Sequence, residues 1–216
     1  MITSREYLVI GHPRCGSGFA ADCLTKLGIS CSHEIEPVKS RALSSWAFTI
    51  KHQNDDGISP RYGIGGWDWR SCYSFDNVIA HLRNPFDAFP SIINENTHDW
   101  SLNIRSKYIQ KYLSKTISGN HLEQAILSYI HWNQIAISKS EFYFRIESED
   151  DFQSLVVFLQ SKNKSVNSID FKSLRKINSK PNQKHKINLK DYESVSTETL
   201  DKLYNFCNQY GYKYIL

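Results

Sequence analysis

Residues 6–19 read EYLVIGHPRCGSGF. The apolar run Tyr7 to Ile10 ends at Gly11 and predicts a short buried strand. From Gly16 onward, Phe19, Ala20, Cys23, Leu24 and Leu27 fall on one helical face, and Gly28 supplies a stop. The chain therefore opens as strand, glycine-containing loop, helix. Residues 29–32 suggest a second short strand, and residues 44–50 (SSWAFTI) read as a helix in preference to a strand. Asn54 to Trp69 holds Gly57, Pro60, Gly63, Gly65 and Gly66 and reads as a long loop.

Further along, FDNVIAHL at 75–82 predicts another strand. Asn84-Pro85 then has the form of an N-cap followed by proline at the first helical position. The helix should run toward Asn94, with Pro90 kinking it or starting a new one. Helices are expected over 120–138, 150–160 and 197–210, the last closed by Gly211, and a strand over 141–146. Strands that alternate with helices imply an α/β fold with a central parallel sheet flanked by helices. The expected architecture is a single P-loop-containing nucleotide-hydrolase-like domain over residues 1–216.

Composition agrees with a globular chain of 216 residues, 40% hydrophobic and 22% charged. The net charge of +4 suits an anionic small molecule. Without a dense Lys/Arg stripe it argues against nucleic acid as a partner. The five cysteines (15, 23, 31, 72 and 207) are odd in number and form no C-x-x-C pair, which argues against a disulfide framework or a zinc knuckle. The N-terminus carries no signal peptide or membrane span, so a reducing cytoplasmic location is expected.

The loop after the first strand is suited to an anion. Backbone N–H groups at a helix start attract negative charge. Gly11 and Gly16 have P-loop spacing, but Ser17 and Gly18 stand where a triphosphate enzyme needs Lys and Ser/Thr. The loop cation is instead Arg14, whose guanidinium can fork onto a phosphate or sulfonate. A cysteine phosphatase motif would need an arginine six residues after Cys15, where Ala21 stands. A second anion-binding stretch is HLRNPFDAFPS at 81–91, in which Arg83 ends a strand and Ser91 lies early in a helix. Ligands of open parallel sheets bind beyond the carboxyl ends of the strands.

GHPRCGSGF resembles the 5′-phosphosulfate loop of sulfotransferases that use 3′-phosphoadenosine-5′-phosphosulfate (PAPS), P-[KR]-[SCA]-G-[ST]. LRNPFDAFPS resembles their 3′-phosphate motif, R-[ND]-P-x-D-x-x-x-S, with Arg83, Asn84, Pro85, Asp87 and Ser91 all matching. EFYFRIESEDDF at 141–152 resembles the strand and acidic turn that follow. The resemblance implies sulfuryl transfer from PAPS to a hydroxyl of a phenolic or carbohydrate acceptor, leaving adenosine 3′,5′-bisphosphate, with no metal required. It implies cofactor contacts from Arg14, Cys15, Gly16, Ser17, Gly18, Phe19, Arg83 and Ser91, with Arg14 also stabilising charge in the transition state. The general base is expected among Glu34, His33 and His52, in that order. Lys180, Lys184 and Lys186 are candidates to close over the nucleotide. Trp67 and Trp69, in the loop 61–73, are candidates for an acceptor wall. Two other readings compete: a P-loop small-molecule kinase, and a nucleotide-binding module that has lost catalysis.

Overall fold

The computed structural model describes residues 2–49, 72–97, 99–162, 165–174 and 186–216. It is an α/β structure with five parallel strands, and helices pack against the sheet. The strands are β1 (Thr3–Ile10), β2 (Cys31–His33), β3 (Ala42–Ser44), β4 (Tyr73–Leu82) and β5 (Phe142–Arg145), ordered β2-β3-β1-β4-β5. The helices are α1 (Ser17–Lys26), α2 (Pro85–Asn96), α3 (Asp99–Leu113), α4 (His121–Ser138), α5 (Glu149–Lys162), the single turn α6 (Phe171–Leu174) and α7 (Thr197–Gln209). The chain divides into two compact units. One comprises Met1–Leu82 and Ala136–Ser179, the other Arg83–Ile135 and Lys180–Leu216.

The first unit holds the sheet. β1 lies at its centre, between β3 and β4, which is why YLVI is apolar without alternation. Tyr7 and Val9 face a core with Ala20, Leu24 and Leu27 of the α1 region and Phe152, Leu155 and Leu159 of α5. Leu8 and Ile10 face the other side, with Leu43, Phe48, Ala80 and Ala136. The period-2 alternation of side chains thus feeds two cores from one strand.

Two expectations are corrected here. Residues 44–49 do not form an α-helix, and Ile50 lies outside the described residues. Ser44 completes β3, and Trp46–Thr49 make one 3₁₀ turn. Ser44 and Ser45 are fully buried and hydrogen-bonded, which overrides the apolar periodicity that suggested a helix. No new helix starts at Pro90, the second of the two alternatives there: α2 runs through it to Asn96. Proline has no N–H to donate, and here it sits buried within the second turn, where the lost bond falls close to the helix start. Asn54 to Trp69 lies outside the described residues.

The second unit is helical. Asn84 caps α2, its side chain accepting from the Phe86 N–H at 3.0 Å, with Pro85 at the first helical position. An aromatic cluster joins α2, α4 and α7. Phe89 meets Tyr129 edge-on at 5.7 Å, and Tyr129 meets Phe206 at 5.2 Å. The fully buried Arg105 donates to Ser128 Oγ at 3.0 Å, to Ser101 Oγ at 2.7 Å and to Asn96 Oδ1, pinning α3 to its neighbours.

Gly11 ends β1 against β4. A Cβ there would lie 2.6 Å from His81 Cε1 and 2.7 Å from the His81 carbonyl oxygen. Because one of these contacts is backbone, a side-chain shift cannot relieve both. Gly11→Ala should cost about 1–3 kcal/mol in urea unfolding. Unchanged stability would contradict this packing.

Candidate functional site

The first unit places the glycine loop at the carboxyl end of β1. Cys15 N–H donates to the His12 carbonyl at 3.1 Å, closing a turn. Arg14 within it is left-handed (φ 72°), and Gly16 follows at φ 100°. A left-handed non-glycine residue costs backbone energy and is commonest where function holds it. The turn buries Cys15 completely and leaves Arg14 exposed. The left-handed φ of Gly16 favours glycine; a Cβ there would also meet Ile146 Cδ1 at 2.5 Å, a contact that a rotation of the isoleucine side chain can relieve.

α1 begins directly after this turn. Its first intrahelical bond is Ala20 N–H to Gly16 O at 2.9 Å, so the helix ladder leaves the amides of Ser17, Gly18 and Phe19 to other acceptors. Gly16 offers no side-chain cap, and no acidic residue occupies the first turn. The positive end of the helix is therefore not offset by a local carboxylate. An exposed guanidinium, three helix-start amides and the Ser17 hydroxyl form a donor set suited to oxyanions such as phosphate or sulfonate.

The turn after β3 braces the loop. Ser44 Oγ donates to the Ser17 carbonyl at 2.8 Å, Ser45 N–H to the Val9 carbonyl at 2.9 Å, and Thr49 Oγ1 to the Gly11 carbonyl at 3.4 Å. His33, the last residue of β2, approaches from the neighbouring strand end. Its Nε2 lies 2.9 Å from Ser17 Oγ. The His33 ring is exposed on one side, yet packing desolvates its charged form and lowers its pKa, with Asp22 pulling the other way.

Glu34 follows His33 directly. It is left-handed (φ 56°), and both carboxylate oxygens are engaged. Oε2 accepts from Ser45 Oγ at 2.8 Å and Oε1 from the Trp46 N–H at 2.9 Å. The carboxylate thereby caps the 3₁₀ turn that braces the loop. Of the three residues considered for the general base, His33 contacts a loop side chain, Ser17. His52 lies outside the described residues, as do Trp67, Trp69, Lys180 and Lys184. Lys186 is described and exposed. Cys15 serves the loop through its turn and its buried thiol, with its N–H already used within the turn.

In the second unit, Arg83 and Ser91 are half-buried, the former just before the Asn84 cap and the latter on α2. The Arg83 carbonyl accepts from the Tyr129 hydroxyl. Arg83 follows Leu82 directly, and β4 is in register with β1, Ala80 opposite Ile10.

The sequence reading missed His81. It is fully buried, and neither ring nitrogen meets a hydrogen-bond partner. The Ile10 backbone is close enough to oppose the shift without reaching hydrogen-bond geometry. Burial dominates and pushes the pKa down to about 4, helped by His33. The only signal available was the position of His81 two residues before Arg83. Among the described residues, no helix is long and apolar enough to cross a membrane, and no cluster of three or more His, Cys, Asp or Glu is placed to hold a metal ion. No protein-family model matches this chain, and no curated protein shows significant similarity to it.

His81 makes stability pH-dependent with a definite sign. In the unfolded chain the imidazole takes a proton near 6.5, whereas in the fold it stays neutral down to about 4. The unfolded state binds more protons across that window, so stability falls as pH falls. The loss should approach about 3 kcal/mol between neutral pH and pH 4. Urea titrations of His81→Phe should show a flatter pH dependence; an unaltered slope would remove His81 as the cause.

Proposed function

We propose that this chain is a PAPS-dependent sulfotransferase. In this reading the sheet is of the P-loop-containing nucleotide-hydrolase type, with the glycine loop following the central strand. The observation that carries the proposal is the donor set around Arg14, because it suits a bound oxyanion and contains no lysine or Ser/Thr pair placed for a magnesium triphosphate. The LRNPFDAFPS sequence, with its Asn84 cap formed, supports the same reading. The acceptor is a hydroxyl-bearing phenol or a glycan end. None of the five cysteines is joined in a disulfide, which suits a reducing, cytoplasmic compartment.

PAPS supplies an activated sulfuryl group when bound. Arg14 and the helix-start amides neutralise charge on the sulfonate and on the bridging oxygen as its bond to sulfur breaks. Arg83 and Ser91 serve the 3′-phosphate and so select against ATP. His33 takes the proton of the acceptor hydroxyl as its oxygen bonds to sulfur. His33 is favoured over Glu34 because its charged form is disfavoured by packing, leaving a neutral imidazole at neutral pH, whereas both Glu34 oxygens are committed to the 3₁₀ turn.

Two sets of variants test these roles. In thermal-shift titrations with adenosine 3′,5′-bisphosphate, Arg14→Ala and Arg83→Ala should each weaken binding about 10- to 100-fold, the loss of a charge-assisted hydrogen bond. Equal affinity in all three proteins would contradict the assignment. In assays of labelled sulfate transfer from PAPS across an acceptor panel, His33→Gln should lower turnover about 100-fold while sparing bisphosphate binding. Glu34→Gln should mainly lower stability. The wild-type rate should rise with pH and level off above an ionisation below the usual imidazole value of about 6.5. A Glu34→Gln enzyme that is folded but inactive, beside an active His33→Gln, would reverse the roles.

A further inference from the structure

We propose that Ser17 and His33 form a nucleophile–base pair that cleaves activated aryl esters through an acyl-serine. This activity is separate from sulfuryl transfer and needs no nucleotide. Ser17 Oγ and His33 Nε2 are 2.9 Å apart, within the reach expected of a nucleophile and its base. The pair is accessible, with Ser17 half-buried and the His33 ring exposed. Ser17 is the first residue of α1, directly after the left-handed Gly16. Its carbonyl is fixed by Ser44 Oγ at 2.8 Å, which limits rotation of its backbone. The N–H groups of Gly18 and Phe19, in the same helical turn, stand outside the helix ladder, which begins at Ala20. They are the donors available to an oxyanion formed beside Ser17.

The remaining charged and titratable neighbours permit the step. His81 is neutral at pH 7 and so does not repel the imidazolium that forms on His33. Asp22 favours that imidazolium. Arg14 lies in the same loop, and its positive charge favours the oxyanion.

The chemistry balances without a redox partner. Ser17 Oγ attacks the ester carbonyl carbon as its proton passes to His33 Nε2. The new C–O bond makes a tetrahedral oxyanion. Its collapse breaks the bond to the aryloxy oxygen, which leaves with the electron pair and takes the proton from His33. Water, giving a proton to His33, then attacks the acyl carbon and releases the carboxylic acid, and the proton returns to Ser17 Oγ. An activated aryl ester fits because its leaving group needs little assistance, and the pair has no third residue hydrogen-bonded to the imidazole among the described residues.

The test uses the full chain and p-nitrophenyl acetate. We expect a burst of p-nitrophenolate approaching one equivalent. Acetyl should be found on the tryptic peptide 15–26, at Ser17, and should survive neutral hydroxylamine, which strips thioesters from Cys15 or Cys23. Ser17→Ala should abolish the burst, and His33→Gln should slow it about 100-fold. Ser17→Cys, which keeps a nucleophile in the same place, should restore the burst and move the acetyl group to the new thiol. Circular dichroism of each variant confirms folding before the comparison. A burst that persists in Ser17→Ala, or acetyl found only on lysines or native cysteines, would overturn the proposal. So would wild-type protein with no burst. None of these results bears on adenosine 3′,5′-bisphosphate binding, so the two activities stand or fall separately.

Discussion

The close approach of Gly11 to His81 sets the geometry around which the first unit is built. β1 and β4 run parallel and in register from Thr3 opposite Tyr73 to Ile10 opposite Ala80. At the next step the chain turns away from the sheet. With no Cβ at Gly11, the backbone can pass directly against the His81 ring and carbonyl. Any larger residue would push the loop off the strand end and carry Arg14 and Ser17 with it. The imidazole beneath is buried and neutral, so the floor of the loop adds no fixed charge near neutral pH.

On that floor the loop is held from a second direction. The buried Ser44 and Ser45 link β1, α1 and β2 through the Ser17 carbonyl, the Val9 carbonyl and the Glu34 carboxylate. Each bond satisfies a group that would be costly to leave unpaired in the interior. The outcome is a loop whose position is set by buried polar side chains, with Arg14 and His33 exposed and Ser17 half-buried. Both Glu34 carboxylate oxygens take part in this bracing, through Ser45 Oγ and the Trp46 N–H.

Where one interaction dominated, the sequence was legible. β1, α1, β4, α2, α4, α5 and α7 follow from apolar runs, apolar periodicity, or the Asn84-Pro85 start signal, because burial and capping act locally there. β3 was hidden because three residues give no period and its end is made of buried serines. α3 was not anticipated because its buried face includes Ser101 and Arg105, polar residues that only the tertiary network satisfies. At the site, Arg14 and the loop were readable from their spacing. The Ser17–His33 contact was not, since it joins two strand ends whose neighbourhood depends on sheet order. His81 carried no local signal because its property, the lack of a partner, exists only in the folded interior.

We propose that the loop 11–19 is an oxyanion site that works without a divalent metal. Isothermal titration calorimetry with adenosine 3′,5′-bisphosphate in the presence of a chelator, set beside ATP with magnesium, tests this most directly. The expected result is saturable bisphosphate binding that a chelator leaves unchanged, and weaker binding of magnesium ATP. Magnesium-dependent ATP binding with no response to the bisphosphate would contradict it.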